Sequence, residues 1–355
     1  MLRARRFTGP REGAGGGKVT EKLGPLPRGR GKPYSSGAGR ARTQELTPGL
    51  ASNVPHEVLR LGLKCNARCL FCNVPPDNLG PDEDFARAAR AGCRAAGRGG
   101  CVSVSGGEPT LYPELARLIA YARRKGVKAE LQTNGIALAR RGAVEELARA
   151  GLAYAFVSLH SHIPAIHDFL TGIRGSQEAC VKAVRNFVAC GVHTTLNPVI
   201  TTANCRGLAD YVRFAGRRLG VKFISLSVVQ PRGLALKNRA LVPDYRALNV
   251  PVRAALKAAL EEGVTVLNPI CGLPLCVGDW YKYPERCVEY SLGKLGLPFT
   301  CPKVKAPACR KCAASAYCAG VWAEYPRIRG FGALKPLAKS VFSAGAARPP
   351  RGGRV

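Results

Sequence analysis

The sequence lacks any run of about 18 consecutive apolar residues, the minimum that a transmembrane helix needs. Its first residues also lack the apolar stretch of a secretory signal, so we expect no export signal and a cytoplasmic protein without membrane partners. Acidic residues are scarce, since 23 Asp and Glu stand against 54 Lys and Arg, which gives a formal net charge of +31. This excess of positive charge favours polyanionic partners without specifying one.

Cysteine, by contrast, is abundant, with 15 in a chain of 355 residues. In a chain without an export signal, so many cysteines indicate reduced thiols kept for metal or redox chemistry rather than a disulfide framework. The hydrophobic fraction of 46% is sufficient for a real core.

Both ends of the chain are rich in Gly, Pro and Arg and show no hydrophobic periodicity. Segments of this composition bury too little apolar surface to fold alone. We therefore predict a disordered basic arm over 1–54 and a basic tail over 331–355. The arm either binds RNA, DNA or an acidic partner electrostatically, or is a solvated tail or a translated leader from a mis-set start codon.

The middle of the chain alternates between strand-like and helix-like patterns. Strands are predicted over 58–63, 101–105, 127–132, 154–159, 192–200 and 221–229. Helices are predicted over 82–96, 113–125, 141–150 and 176–190, the last with Ser176 as its N-cap. A further helix is predicted to begin after Asn204, its N-cap, and to end near Leu219. Because parallel neighbours need crossovers, this pattern predicts an α/β fold with a parallel sheet. No strand pattern remains for further units, which favours a partial barrel over a complete eightfold one.

Polar and sulfur side chains follow the predicted strands at the points where the strands end. They are Cys65, Cys69 and Cys72 after the first strand, Gly106 to Thr110 after the second, Thr133 and Asn134 after the third, and Ser158 and His160 at the fourth. The chemistry of parallel α/β folds takes place at the carboxyl ends of their strands. We therefore predict the functional site at this end of the sheet.

The first cysteine cluster places Cys65, Cys69 and Cys72 on one loop, where three thiolates can wrap a compact metal centre. A tetrahedral structural zinc would need a fourth ligand nearby, and none follows at a usable spacing. Three cysteines leave one position of a cubane iron–sulfur cluster open to an exogenous ligand.

This C-x3-C-x2-C spacing, with Phe71 before the last cysteine, resembles the signature of the radical S-adenosylmethionine (radical SAM) superfamily. The Gly-Gly-Glu-Pro sequence at 106–109 is similar to the second motif of that superfamily, and the resemblance spans residues 57–230. It implies a partial (β/α)6 TIM-like barrel. It also implies a [4Fe–4S] cluster on the three cysteines, with SAM chelating the fourth iron.

The resemblance also gives the strand-end residues roles in binding SAM. Gly106 and Gly107 would let the backbone approach the methionyl part, because neither has a Cβ atom. Glu108 would hold the loop or the ammonium group of SAM, and Phe71 would lie beside the adenine. The candidates for hydrogen bonds to the ribose and carboxylate of SAM, or alternatively for simple strand-end capping, are Thr133, Asn134 and Ser158.

A second cysteine cluster lies between residues 271 and 318. The C-x2-C-x5-C spacing of Cys309, Cys312 and Cys318 is similar to the core of the SPASM domain, a cysteine-rich extension that carries auxiliary clusters in peptide-modifying radical enzymes. Trp322 stands where that pattern has a further cysteine, so two full auxiliary clusters are not expected.

One auxiliary iron–sulfur cluster fits this pattern better. Its fourth ligand would be Cys276, with Cys301 as the alternative. A single zinc ion on the same four thiolates is the other interpretation, since such a donor set suits either metal.

The resemblance implies an enzyme of undetermined reaction class, with a radical SAM core over 55–235 and a helix and cysteine-rich auxiliary region over 236–330. One electron from the cluster would cleave SAM reductively to a 5′-deoxyadenosyl radical, which would act on a peptide or small protein. The electron donor would be flavodoxin-like or ferredoxin-like. Two alternatives stay open: a radical SAM enzyme acting on RNA or a nucleotide-derived cofactor precursor, and a non-catalytic iron–sulfur or zinc protein that binds nucleic acid through its basic arms.

Overall fold

The computed structural model describes residues 57–73, 85–299 and 301–346 of the chain. The predicted basic arm over 1–54 and the end of the predicted tail, from residue 347 onward, lie outside the described residues.

Eleven strands follow one another in the described part of the chain. They are β1 (Glu57–Arg60), β2 (Cys101–Ser105), β3 (Lys128–Thr133), β4 (Leu152–Val157), β5 (His193–Leu196), β6 (Val199–Ile200), β7 (Phe223–Ser225), β8 (Ser227–Val228), β9 (Thr265–Leu267), β10 (Lys303–Val304) and β11 (Val321–Trp322). Seven of them form the main sheet in the order β1-β2-β3-β4-β5-β7-β9, and all of its pairings are parallel. The pairs β6-β8, parallel, and β10-β11, antiparallel, are separate.

The α-helices of the same residues lie between and after these strands. They are α1 (Phe85–Ala96), α2 (Leu115–Arg124), α3 (Arg141–Ala150), α4 (Pro164–Thr171), α5 (Ser176–Ala189), α6 (Leu208–Leu219), α7 (Leu234–Lys237), α8 (Tyr245–Glu261), α9 (Val288–Lys294), α10 (Tyr325–Arg329) and α11 (Lys339–Ala346). None of these helices, within the described ranges, has the length and apolar character needed to cross a lipid bilayer.

This architecture confirms the predicted α/β fold with a parallel sheet and a cysteine-rich C-terminal part. The expectation that no further strand follows the sixth was wrong, because β9 extends the sheet beyond residue 235. Three residues are too short a stretch to show the alternation by which strands are recognised. The predicted strand over 192–200 is divided into β5 and β6 at Asn197 and Pro198, and proline cannot donate to a ladder.

Both predicted N-caps were wrong. Ser176 is the first residue of α5 rather than its N-cap. The N-terminus of α5 is capped by the carboxylate of Asp168 in α4, which accepts from Gly175 N at 2.6 Å and Gln177 N at 2.9 Å. Asn204 precedes a short 3-10 turn instead of α6, and its Oδ1 accepts from Thr201 N at 2.7 Å. Asn204 Nδ2 also donates to His160 O at 2.8 Å. Contacts with other segments, which the sequence does not display, therefore decided both caps.

The C-terminal segment also differs from its prediction. Residues 331–355 were expected to form a basic tail, yet Ala333, Leu334 and Leu337 are at most 8% exposed and belong to the core. Leu337 N donates to Cys312 Sγ at 3.3 Å, which ties this segment to the cysteine-rich region. The segment has too few apolar residues to fold alone, but it buries them on a surface that is already folded.

A buried ion pair holds the cysteine-rich region together. Lys303 Nζ lies 2.6 Å from Glu289 Oε1, and the two side chains are 1% and 6% exposed. The same ammonium group donates to Gly272 O at 3.4 Å, while Glu289 Oε2 accepts from Ala319 N at 2.8 Å. This pair therefore connects the segments that follow Cys271, Cys301 and Cys318 in the chain.

Glu289→Gln should lower the free energy of unfolding by about 3–5 kcal/mol, because it leaves the Lys303 ammonium buried without its counter-charge. The double variant Glu289→Gln/Lys303→Met should recover most of this loss. Urea unfolding under anaerobic conditions measures both. As a control, Glu178→Gln breaks an exposed i,i+4 pair with Lys182 and should leave the unfolding midpoint unchanged. A double variant no more stable than the single one would contradict the prediction.

Candidate active site

The loop of residues 61–73 follows β1 and carries the first three predicted ligand cysteines. Its middle lies against the end of α4, where Arg68 N donates to Thr171 O at 2.8 Å. Its far end is held at α7, where Leu234 N donates to Cys72 O at 2.9 Å. Two helices from distant parts of the sequence therefore fix the path of this loop.

The thiols of Cys65, Cys69 and Cys72 lie close enough to influence one another. Burial, together with the neighbouring thiols of Cys72 and Cys65, raises the pKa of Cys69 to about 12. The pKa of Cys65 is also raised, first by burial and then by Glu108 and Cys72. Thiolates gathered in this way need a bound positive charge to stay deprotonated, which a metal centre supplies. The donor set therefore fits an iron–sulfur cluster.

Within the described residues, no three His, Cys, Asp or Glu side chains converge as ligands of one metal ion. A [4Fe–4S] cluster places each of its thiolates on a separate iron atom.

Gly106 and Gly107 lie against the first half of the cysteine loop. A Cβ atom on Gly106, whose φ is +140°, would lie 2.5 Å from Gly62 O. A Cβ atom on Gly107 would lie 2.5 Å from Leu63 O and would also meet Lys64 O. The absence of side chains here allows two backbone segments to come together.

The side chain of Glu108 is 1% exposed and bonds to the end of β3. Its Oε1 accepts from Thr133 Oγ1 at 2.7 Å and Thr110 Oγ1 at 2.6 Å, and its Oε2 accepts from Asn134 N at 2.7 Å. Burial raises the pKa of this carboxyl, and these hydrogen bonds oppose the rise. Glu108 N also donates to Lys64 O at 2.7 Å. Two roles were predicted for Glu108, holding the loop or holding the ammonium group of SAM. These contacts correspond to the first role, because they attach the glycine-rich loop to β3 and to the cysteine loop.

The other candidate residues for SAM lie at the same end of the sheet. Asn134 Nδ2 donates to Asn66 Oδ1 at 2.7 Å and lies 3.9 Å from Cys65 Sγ, so β3 contacts the cysteine loop directly. Ser158 is half-buried after β4, and its backbone N–H donates to Thr133 O at 2.9 Å. Phe71 is buried, with its ring edge-on to His160 at 5.0 Å between centroids.

Four of the C-terminal cysteines line one small pocket. They are Cys276, Cys309, Cys312 and Cys318. Burial raises the pKa of Cys276 to about 11, and the thiols of Cys312 and Cys309 contribute. Lys305 and Lys335 line the same pocket, and their positive charges suit a site that holds thiolates.

The alternative fourth ligand, Cys301, is half-buried and does not line this pocket. It lies instead toward Lys303, Glu289 and Cys271, whose charges affect the pKa of its thiol. The tertiary structure thus groups Cys276 rather than Cys301 with the C-x2-C-x5-C cysteines.

The polar residues on β2 and β3 were not among the candidate residues predicted from the sequence. Ser103 Oγ donates to Glu130 Oε1 at 2.7 Å, and Ser105 Oγ donates to Gln132 Oε1 at 3.0 Å. Both strands alternate these residues with buried apolar ones such as Val104. That alternation was the available signal, since a strand covered on both faces is usually apolar throughout.

Gly107→Ala should destabilise the anaerobic protein by about 1–3 kcal/mol, because its methyl group would overlap the backbone of the cysteine loop. Gly142→Ala is the matched control: this glycine lies in α3, nothing lies within 4 Å of its added Cβ, and alanine there should stabilise slightly. Urea unfolding compares the two variants. Equal effects of both substitutions would show that the close approach at Gly107 is unimportant.

Comparison with known proteins extends these observations. Residues 59–215 match the family described as Radical SAM superfamily. The PqqA peptide cyclase of Methylorubrum populi is 30% identical over 233 residues, which cover 63% of this chain and 58% of that protein. The PqqA peptide cyclase of Gluconobacter oxydans is 33% identical over 166 residues, 46% of each protein. The chain thus spans about half the length of these curated relatives.

The structure of native anSMEcpe with bound AdoMet superposes with a TM-score of 0.51 at 15% identity, covering 72% of this chain and 71% of that one. This likeness shows that the two proteins share a fold. The family match agrees with the sheet, the cysteine loop and the glycine-rich loop described above. Residues 59–215, less than half of the chain, therefore resemble the radical SAM superfamily.

Proposed function

We propose that the protein is a radical SAM enzyme that modifies a peptide or small protein. The observation that carries this proposal is the convergence of the Cys65, Cys69 and Cys72 loop with the glycine-rich loop through Glu108 and Asn134. These elements are far apart in the sequence and meet at one end of the sheet. A protein that only binds a partner would not need the second loop at the cysteines.

The three thiolates would hold a [4Fe–4S] cluster with one iron open to SAM. When bound and reduced, this cluster supplies the electron that cleaves SAM to a 5′-deoxyadenosyl radical. The chain's own residues fix the geometry of the site: Glu108 holds the end of β3 to the cysteine loop, and Asn134 faces Cys65 from β3. We infer that Thr133 is mainly structural, because its hydroxyl donates to Glu108 and accepts from Gly135 N.

A peptide substrate is supported by the relatives, since the curated proteins that this chain resembles include PqqA peptide cyclases. The pocket lined by Cys276, Cys309, Cys312 and Cys318 supports an auxiliary iron–sulfur cluster in the C-terminal region. An external one-electron donor, flavodoxin-like or ferredoxin-like, would reduce the first cluster. Nucleic acid as a partner and the cytoplasmic location stay predictions, and the predicted basic arm lies outside the described residues.

The first experiment tests the radical chemistry. After anaerobic reconstitution, reduction with dithionite in the presence of SAM should release 5′-deoxyadenosine, measured by chromatography. Changing Cys65, Cys69 and Cys72 together to Ala should abolish this release, because the cluster loses all of its protein ligands. A matched triple variant, Cys93, Cys190 and Cys205 to Ala, removes thiols outside both sites and should retain it. Continued release by the first variant would refute the proposal.

The second experiment tests the auxiliary site. The wild-type protein should hold more than four irons per chain, since one cubane accounts for roughly four. The Cys65/Cys69/Cys72 variant should retain about half of the iron if both clusters are cubanes. Cys276→Ser should lower the iron content through the auxiliary site, whereas Cys301→Ser should leave it unchanged. One zinc with only four irons in the wild type would replace the auxiliary cluster by a structural zinc site and weaken the peptide-modifying proposal.

A further inference from the structure

A row of polar side chains crosses one face of the main sheet. The strand registers pair Ser103 with Glu130, Glu130 with Tyr154, and Tyr154 with His193. Residues paired in a parallel ladder point to the same face of the sheet, so these four side chains form one row across β2, β3, β4 and β5.

This row lies beneath the predicted SAM residues. The next row of side chains on this face lies two residues further along each strand. In that row Gln132 pairs with Phe156, and Phe156 pairs with Thr195. Two residues of a strand correspond to about 7 Å. The row therefore lies deeper along the strands than the predicted SAM residues, on the same face of the sheet as Gln132.

Two atoms of the row are buried without a hydrogen-bond partner among the described residues. Glu130 is 2% exposed, and its Oε1 accepts from Ser103 Oγ while its Oε2 has no partner. His193 Nε2 is likewise buried and unpartnered, and the His193 ring lies beside Tyr154 and Phe223 at 5.6 and 4.8 Å between centroids. Buried polar atoms in native proteins usually have partners, so a ligand group is the natural complement.

The charges around Glu130 favour a neutral ligand. Lys128 lies on the same face of β3 as Glu130, and its Nζ lies 3.3 Å from the OH of Tyr154, a member of the row. This ammonium group would repel a cationic ligand. Burial raises the pKa of Glu130 to about 7, with the hydrogen bond from Ser103 opposing the rise. The carboxyl is thus partly ionised near neutral pH and accepts a hydrogen bond from a neutral donor at little electrostatic cost.

We propose that this face of β3 to β5 is a substrate subsite in which Glu130 Oε2 accepts a hydrogen bond from a peptide amide, with His193 Nε2 as a second polar contact. The subsite rests on the proposed peptide-modifying function and names where the peptide binds. Strands β3 and β5 are two strand separations apart, about 10 Å. A short peptide segment crossing Tyr154 spans that distance, whereas a single amide group does not.

The test uses two small probes that differ in one hydrogen-bond donor. N-methylacetamide carries the N–H group of a peptide bond, and N,N-dimethylacetamide lacks it. Saturation-transfer NMR on the full-length, anaerobically reconstituted protein with SAM measures the affinity of each. N-methylacetamide should bind about three- to tenfold more tightly, the equivalent of one hydrogen bond. Equal affinities in the wild type would overturn the subsite.

Glu130→Met removes the acceptor at similar side-chain length and should abolish the preference for N-methylacetamide. Glu178→Met, an exposed change on α5, should preserve it. A preference that persists in Glu130→Met would overturn the proposal. Should that variant fail to fold, crystals of the wild type soaked in N-methylacetamide decide the question: its nitrogen within about 3.2 Å of Glu130 Oε2 supports the subsite, and binding elsewhere overturns it.

The outcome is separable from that of the proposed function, because probe binding does not require SAM cleavage. Intact discrimination between the probes without release of 5′-deoxyadenosine would refute the radical chemistry alone. Release of 5′-deoxyadenosine without discrimination would refute the subsite alone.

Discussion

The buried carboxylate of Glu108 is the interaction on which the candidate site depends. Its side chain accepts hydrogen bonds from Thr133 and from Asn134 N at the end of β3, while its backbone N–H donates to Lys64 O in the cysteine loop. Hydrogen bonds to a carboxylate are stronger than those between neutral groups, and burial excludes the water that would compete for them. One residue thereby joins the ends of β1, β2 and β3.

A buried charged group also holds the cysteine-rich region together, here as the ion pair of Lys303 and Glu289. The buried contact between Lys303 and Glu289 joins segments near three cysteines, and the C-terminal residues around Leu337 cover the auxiliary pocket. Neither segment has enough apolar surface to fold by itself. Their order comes from packing on the barrel, which explains why a stretch that reads as a basic tail contributes Ala333 and Leu334 to the core.

The two candidate centres differ in what surrounds their thiols. The first loop lies at the end of the parallel sheet, with Cys65 exposed and Asn134 beside it. The auxiliary pocket is lined by four half-buried cysteines and flanked by Lys305 and Lys335. A more exposed centre suits exchange of an external ligand such as SAM, whereas a more buried one suits electron transfer or a structural role. The row at Glu130 is the proposed place for substrate, below the first centre.

The sequence by itself determined the parallel α/β fold, the cysteine loop and the glycine-rich loop, because strand periodicity and motif spacing are local properties of the chain. It did not determine β9, the caps at Ser176 and Asn204, or the burial of Leu337, since each depends on contacts with another segment of the chain. Only the tertiary structure grouped Cys276 with Cys309, and only the strand register brought Glu130 into line with His193. Spacing along a chain specifies which residues are neighbours in a loop, whereas distances between loops are set by how the helices and strands pack.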